Sequence, residues 1–260
     1  MILPGSYANG FAPRDGQPLY PELWRGCVGA WNPGLGPTGL TLRDWSGYGN
    51  HGTLTNMTAG AAWTIRAQSH AITFDGLSNQ VRGVNRIQSM PFSVTIACVG
   101  HTTGVLWSML SSGTTLWNGW YLAGNAFAVV VNNSFDAAPA TAANFSATGL
   151  NVVTCIARSA TSRTIWCNGI EGTTGTQNMT PTGTLRLCFG ASVRGGGPTV
   201  DNFGNGSLLT CLSHSRVLTS NEIRLLHTRH DIAFDMAPRR RASVQVAAFN
   251  RRRRLLLGST

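Results

Sequence analysis

Lysine is absent from this 260-residue sequence, and acidic residues are scarce: ten Asp and Glu side chains stand against twenty arginines. The ten acids are scattered singly, without an E-x-D-x-x-E cluster or a similar pattern. Hydrolysis of a glycosidic bond commonly needs two carboxyl groups about 5 to 9 Å apart. No G-x-S-x-G elbow indicates a serine hydrolase either. These absences predict that the chain is not an enzyme.

Long apolar runs are also missing. No stretch reaches about 18 consecutive apolar residues, and the N-terminus has neither a basic segment nor an apolar one. The sequence therefore predicts no membrane partner and no Sec-type signal. Six cysteines occur without a C-x-x-C pair, mostly inside apolar alternations, which predicts free and buried thiols.

Patterns that hold metals or cofactors are sparse. His227 and His230 have H-x-x-H spacing, but Asp231 is the one acid near them, so surface histidines are the favoured interpretation. A calcium ion needs roughly six to eight oxygen ligands, to which Asp75 and Asp201 could contribute. We predict no cofactor and no metal, with calcium as the alternative left open.

Positive charge is concentrated near the C-terminus. Residues 236–260 contain seven arginines and no acid, a charge of +7, whereas thirteen arginines and ten acids leave residues 1–235 at +3. The seven are Arg239, Arg240, Arg241, Arg251, Arg252, Arg253 and Arg254. Arginine pairs bidentately with carboxylates and phosphates, so we predict that these residues anchor the chain to a partner. A solvated tail that only aids solubility is the alternative.

Short strands joined by turns dominate the pattern before that tail. Gly, Ser, Thr and Asn are frequent, and residues 92–99 alternate between apolar and small polar side chains, as in a half-buried strand. Strand-like segments cover residues 26–31, 71–74, 92–99, 120–122, 126–131, 151–156, 164–167, 185–189 and 208–212. They predict an all-β fold, a two-sheet antiparallel jelly-roll sandwich.

One segment, residues 220–227, has clear helical character. Thr219 and Glu222 are spaced as a capping box, and Leu218 and Ile223 occupy the positions of a hydrophobic staple. We predict one short C-terminal helix that closes the sandwich.

Three parts of the chain follow from these patterns. Prolines and glycines in residues 1–24 favour an extended, hydrogen-bond-poor backbone, which predicts an N-terminal arm. Residues 25–230 form the predicted jelly-roll domain. Residues 231–260 form the Arg-rich C-terminal arm, which has too few apolar residues for a core of its own.

The order of several motifs resembles laminin-G-like, concanavalin-A-type jelly rolls. Residues 42–54, L-R-D-W-S-G-Y-G-N-H-G-T-L, are similar to the turn that follows the family's first strand. Further similar segments are 29–31, 71–76, 151–156 with 164–169, 185–190 and 208–225. The resemblance implies a jelly roll whose first and last strands are antiparallel neighbours. Both arms would then leave from one edge.

Two departures from the family pattern concern acidic residues. Residues 210–216 lack the acidic pair that the family often has in its closing strand, and Asn168 replaces the usual aspartate before Gly169. An acidic pair that can serve calcium or catalysis is therefore missing.

Six residues are candidates for a ligand rim: Asp44, Asn50, His51, Asp75, Trp117 and Trp120. The first three lie in the glycine-rich turn, where short polar side chains also bond to nearby backbone N–H groups. A purely structural role is thus the alternative for them. The tryptophans either stack on sugar rings or fill the core at strand ends.

Chains of this kind with a Pro- and Arg-rich tail resemble structural proteins of tailed bacteriophages. The resemblance implies a virion protein, a capsid decoration or a tail or fibre component, that joins other virion proteins, forms a homo-oligomer and displays possible glycan-binding loops. A stand-alone bacterial carbohydrate-binding lectin is the alternative. Nucleic-acid binding through the arginines, with a steep salt dependence, is a third.

Overall fold

The computed structural model describes residues 18–84, 86–87, 89–111, 117–123, 126–131, 134–135, 145–176, 185–193, 200–201 and 203–236. The strands are β1 (Cys27–Trp31), β2 (Thr41–Leu42), β3 (Gly52–Thr55), β4 (Trp63–Arg66), β5 (Ser69–Asp75), β6 (Gln80–Val84), β7 (Phe92–Val99), β8 (Gly104–Ser111), β9 (Trp117–Ala123), β10 (Ala126–Val131), β11 (Ser134–Phe135), β12 (Leu150–Ser159), β13 (Ser162–Cys167), β14 (Ile170–Gly175), β15 (Leu185–Phe189), β16 (Ser192–Val193), β17 (Val200–Asp201) and β18 (Asn205–His214). The helices are α1 (Ala59–Ala62) and α2 (Ser220–Thr228), with 3-10 turns at Pro21–Trp24, Pro33–Leu35 and Ile232–Phe234.

Two antiparallel sheets carry the fold. The first has the order β14-β13-β12-β7-β18-β5-β4, with β1 also paired to β18, and the second has the order β11-β10-β9-β8-β15-β6-β3-β2. Strands β16 and β17 form a separate ribbon. The prediction of an all-β, two-sheet antiparallel sandwich with one substantial helix is confirmed.

Along one of its edges, strand β18 pairs with two different strands, one for each half of its length. Residues 205–208 pair with β5, whereas its C-terminal half pairs with β1, where Cys27 lies opposite His214 and Trp31 opposite Cys211. The first and last strands of the sandwich are therefore antiparallel neighbours, as predicted.

The main core lies between the sheets. Trp31 of β1 and Phe189 of β15 are both buried and meet edge to face, with ring centroids 5.4 Å apart. Aliphatic side chains surround this pair, including Leu42, Leu54, Ile72, Val81, Val94, Ile96, Leu106, Val153, Leu187 and Leu208. Burial of these side chains is the main source of stability for the sandwich.

A second apolar layer covers the outer face of the first sheet. It is built from α2 and the two 3-10 turns that flank the sandwich in sequence, with Leu23, Trp24, Leu226 and Phe234 among its buried members. Strand β7 is consequently buried on both faces, and the expectation of a half-buried strand is wrong. Its polar residues are satisfied internally, for example the Ser93 hydroxyl, which accepts from the Leu218 N–H at 3.0 Å.

Helix α2 begins as the sequence predicts. The Thr219 side chain accepts from the Glu222 backbone N–H at 3.3 Å, and the Glu222 carboxylate accepts from the Thr219 N–H at 2.7 Å. Leu218 and Ile223 are both buried in the same apolar cluster. Within the described ranges, no helix has the length and apolar character needed to cross a bilayer.

All six cysteines are free and buried, which confirms the prediction: Cys27, Cys98, Cys155, Cys167, Cys188 and Cys211. Burial, reinforced by the negative charge of Asp44, raises the pKa of the Cys27 thiol to about 12. Burial likewise raises the pKa of Cys188 to about 12. Thiols of this kind act as small apolar side chains, because the reactive thiolate is suppressed.

The two segments that lead to the arms leave the sandwich side by side. Pro18 forms an antiparallel bridge with Met236, and the Leu19 N–H donates to the Asp235 carbonyl at 2.8 Å. Leu23 and Trp24, which the sequence places in the N-terminal arm, are buried against the domain. Residues 1–17 and 237–260, and with them all seven arginines of the tail, lie outside the described residues.

Candidate functional site

One buried carboxylate organises the glycine-rich turn between β2 and β3. Asp44 Oδ1 accepts from the backbone N–H groups of Ala30 and Ser46, each at 2.9 Å. Its Oδ2 accepts from the Asn50 N–H and the Ser46 hydroxyl, each at 2.8 Å. Four donors thus offset the burial of this carboxylate and fix the turn against β1.

Asn50 extends the same network in two directions. Its Nδ2 donates to the Val28 carbonyl at 2.7 Å, and its backbone carbonyl accepts from Trp31 Nε1 at 3.0 Å. Its Oδ1 accepts from Arg86 Nε at 3.2 Å. The buried amide therefore holds an exposed guanidinium in a defined position.

Arg86 reaches the turn because β6 pairs with β3 beside it. Gly83 of β6 faces the turn so closely that a Cβ there would lie 3.4 Å from the His51 carbonyl oxygen and 3.6 Å from that of Asn50. The terminal nitrogens Nη1 and Nη2 of Arg86 have no hydrogen-bond partner among the described residues. No local pattern in the sequence points to this residue, which lies 36 positions after Asn50.

His51 is exposed and held in one tautomer. Its Nδ1 accepts from the Asp44 backbone N–H at 3.0 Å. In the neutral imidazole the proton must then sit on Nε2, which has no partner in the described part of the chain. The ring consequently offers an Nε2–H donor at the surface.

Tyr48 completes the exposed side of the turn. It lies between Gly47 and Gly49, whose φ angles of 87° and 71° are readily adopted only by glycine, and 43% of its surface is exposed. We call the exposed side chains of Tyr48, His51 and Arg86 the turn surface. It combines an aromatic ring, a neutral donor and a cation.

A second exposed cation, Arg43, lies at the start of the turn. The guanidinium carbon of Arg43 is 4.3 Å from the centroid of the Trp45 ring, a cation–π contact. Neither Arg43 nor Arg86 pairs with a carboxylate in the described ranges. Within the described ranges, both guanidinium groups are therefore without an ion-pair partner.

Asp75 belongs to a different loop. It ends β5, and its Oδ1 accepts from the N–H groups of Leu77, Ser78 and Asn79 at 2.9, 2.9 and 3.0 Å. Partial burial acts to raise the pKa of Asp75, but these N–H groups outweigh it and lower that pKa. The carboxylate therefore caps its own loop.

The turn surface and the Asp75 loop lie at opposite ends of β3. Gly52 begins β3 directly after the turn, whereas Thr55 at its far end pairs with Gln80, which follows the Asp75 loop. The structure thus brings Asp44, Asn50 and His51 together and leaves Asp75 apart. A role of any of the four in binding stays a prediction.

Trp117 and Trp120 both lie in β9, and their backbone register places them in the second sheet. Trp120 is opposite Trp107, and Trp117 is opposite Leu110 of β8. Across the sheet, Leu110 pairs with a residue of β15 that in turn pairs with Val84 of β6. Trp117 and Val84 therefore lie in the same row of paired residues, and Val84 is at the end of β6 that approaches the turn. Their side chains lie outside the description, so their place in a ligand rim stays a prediction.

Both histidines of the H-x-x-H motif form hydrogen bonds within the domain. His227 Nδ1 accepts from the Gly169 N–H at 2.8 Å, and its Nε2 bonds to the Thr154 hydroxyl at 2.9 Å. His230 Nδ1 bonds to the Thr210 hydroxyl at 3.1 Å. No group of three or more His, Cys, Asp or Glu side chains with metal-binding geometry occurs among the residues that the structure describes.

No protein-family model matches the chain, and no curated protein sequence matches it. Solved structures do match. Trypanosoma rangeli sialidase in complex with sialic acid is 13% identical with a TM-score of 0.58, over 81% of this chain and 34% of the sialidase. Domain 4 of an extracellular arabinanase from Geobacillus stearothermophilus, in complex with arabinotriose, is 12% identical with a TM-score of 0.60, over 84% of this chain and 99% of that domain.

A receptor binding domain is also similar, at 12% identity and a TM-score of 0.54, over 80% of this chain and 52% of that one. The chain spans about a third of the sialidase that it matches. These findings correct the prediction that the chain is not an enzyme. That prediction, which was made from the scattered acids and the missing G-x-S-x-G elbow, is contradicted, because the matching chains include sialidases and a domain of an arabinanase. What the chain shares with them is a two-sheet β-sandwich fold.

Proposed function

We propose that the sandwich is a carbohydrate-binding domain. The observation that carries this proposal is the match to nearly the whole of an arabinanase domain whose structure contains arabinotriose. The turn surface supports it, because binding sites for small polar ligands combine aromatic side chains with a few well-placed hydrogen-bonding groups. Tyr48 and His51 supply such groups in the hydrogen-bonded turn, and Arg86 supplies one beside it.

A glycan array probed with the full-length chain tests this proposal. We expect saturable binding to a discrete set of glycans at about 150 mM salt, with a Kd between about 1 µM and 1 mM, equivalent to about −8 to −4 kcal/mol. Binding by the arginine tail alone would instead fall steeply between about 50 and 200 mM salt, with little glycan preference. Loss of all binding at the higher salt contradicts the proposal.

We also propose that the domain is displayed on a virion, as a capsid decoration or a tail or fibre component. The supporting observation is the bridge between Pro18 and Met236, from which both arms leave at one point. One site on a neighbouring virion protein can then engage both arms, with the tail arginines paired to acidic groups. A stand-alone bacterial lectin is the alternative for a chain that binds glycans but joins no particle.

Deletion of residues 237–260 is expected to remove the chain from purified particles. Seven exposed ion pairs at about 0.2–1 kcal/mol each contribute about 1.4–7 kcal/mol, so the affinity for the particle should fall at least tenfold and the copy number should fall with it. The measurement is the copy number per particle, by quantitative mass spectrometry. A full-length variant with the seven arginines changed to glutamine separates charge from length, and incorporation of both variants at the unmodified level refutes the anchoring role.

A further inference from the structure

We infer that the turn surface binds a sugar that carries a carboxylate, such as a uronic acid or another acidic monosaccharide unit. The inference rests on the proposed carbohydrate binding and names the ligand class and the residues that select it. In this inference, Arg86 binds the carboxylate, His51 donates a hydrogen bond to a neighbouring oxygen of the sugar, and the Tyr48 ring packs on the apolar face of the sugar.

Arg86 has the geometry of a prepositioned carboxylate receptor. Its Nε is engaged by Asn50 Oδ1 at 3.2 Å, and Asn50 is itself held by the Val28 carbonyl at 2.7 Å. The exposed Nη1 and Nη2 remain without partners in the described residues and can donate two parallel hydrogen bonds to one carboxylate. Because the side chain is already held, little conformational entropy is lost on binding.

His51 adds a donor whose direction is set by the fold. The Asp44 N–H occupies Nδ1 at 3.0 Å, so the neutral ring presents Nε2–H to the ligand. Asn50 and His51 are adjacent in sequence, and one buried network through Asp44 and Asn50 positions both Arg86 and His51. The turn motif therefore positions two ligand-facing groups as well as its own backbone.

Charge decides between an acidic and a neutral sugar. Arg43, within the turn, and Arg86, bonded to Asn50 of the turn, have no carboxylate partner in the described part of the chain. The one acid in the turn, Asp44, is buried and has its oxygens bonded inwards. A carboxylate can pair with the exposed guanidinium of Arg86, whereas a neutral sugar leaves that charge to solvent.

Calorimetric titration of the full-length chain tests the inference. The probes are trigalacturonate and sialyllactose, each compared with its neutral counterpart, galactotriose or lactose, at about 150 mM salt. We expect at least one acidic probe to bind at least tenfold more tightly than its counterpart. Arg86→Gln removes the charge and Arg86→Lys keeps it without the planar fork, and each should weaken that binding at least tenfold.

The matched control is Arg158→Gln. Arg158 is exposed in β12, three strands from β1 in the first sheet, and its removal changes the net charge by the same amount. It should leave the affinity within twofold. Thermal unfolding followed by circular dichroism verifies that each variant is folded, and Tyr48→Ala, at an exposed position, gives a second variant expected to weaken binding.

The outcomes separate the inference from the function on which it rests. Equal binding of acidic and neutral sugars, or binding that Arg86→Gln leaves unchanged, overturns the inference while carbohydrate binding stands. A sulfated trisaccharide or a glutamate-rich peptide that binds as tightly as the acidic sugars also overturns it, since the carboxylated sugar is then not selected. Failure to bind any glycan on the array contradicts both the carbohydrate-binding function and the inference about the acidic sugar.

Discussion

Replacing Glu222 by glutamine is expected to lower the free energy of unfolding by about 3 kcal/mol, because it leaves a largely buried arginine without its counter-charge. Arg216 Nη1 and Nη2 donate to the two carboxylate oxygens of Glu222 at 2.9 and 2.6 Å. The side chains are only 18% and 6% exposed. Burial acts to raise the pKa of Glu222, but bonds from Arg216 and Thr219 outweigh it and lower that pKa to about 2.

The same arginine ties the N-terminal segment to the rest of the domain. Its Nε donates to the Arg25 carbonyl at 2.6 Å, and its Nη2 donates to the Glu22 carbonyl at 2.9 Å. Glu222 in turn caps α2 through Thr219. The pair thus joins the start of the domain to its closing helix, and Arg216→Met should cost as much as Glu222→Gln.

Urea denaturation at pH 7 measures both variants, and a double-mutant cycle isolates the coupling between the two side chains. The matched control is Arg229→Met. Arg229 pairs with Asp231 at 3.4 Å and with Asp235, but it is 49% exposed, so its loss should cost no more than about 1 kcal/mol. A cost below that value for Glu222→Gln would mean that the buried pair contributes little.

The two residues of this ion pair, Arg216 and Glu222, differ in how far their contacts could be predicted from a local sequence pattern. The capping box was predictable from Thr219 and Glu222 because a helix start places its partners three residues apart. Arg216 was not, since its contacts with Arg25 and Glu22 depend on the antiparallel pairing of β1 with β18. Two-sided burial of β7 escaped prediction for a related reason: Ser93 is polar by type but bonds to backbone groups that follow it by more than 120 residues.

In the candidate site, too, some contacts follow from local spacing and others depend on strand pairing. The role of Asp44 and Asn50 in the turn follows from spacing, because short polar side chains near glycines bond to adjacent N–H groups. Arg86 enters through the pairing of β3 with β6, which no local pattern specifies. Asp75 is a loop cap that β3 separates from the turn, although both segments have the Asp and Gly composition typical of turns.

Acidification from pH 7 to pH 5 is expected to lower the free energy of unfolding by at least about 4 kcal/mol, with about 2 kcal/mol from each of two histidines. Burial lowers the pKa of His214 to about 4, and the positive charge of Arg216 acts in the same direction, against the Leu23 carbonyl and Glu222. Burial also lowers the pKa of His227 to about 4. In the unfolded chain, each of these histidines has the ordinary pKa of 6.5.

The hydrogen bonds explain why the folded protein resists these protons. His214 Nε2–H donates to the Leu23 carbonyl at 2.8 Å, and its buried Nδ1 has no partner among the described residues to receive a second N–H. Protonation of His227 would set a new Nδ1–H against the Gly169 N–H, now 2.8 Å away. Between pH 6.5 and 4 the unfolded state therefore binds more protons, and stability falls as the pH falls.

Urea denaturation at pH 8, 7, 6 and 5 measures this dependence. Stability should be level between pH 8 and 7, above the ordinary pKa of histidine, and should decline below pH 6.5. His214→Gln removes one of these titrations, so its loss of stability from pH 7 to 5 should be about 2 kcal/mol smaller than that of the unmodified chain, whatever its stability at pH 7. Because Glu222, with its pKa near 2, stays ionised throughout this range, a decline that His214→Gln leaves unchanged would have to come from other groups.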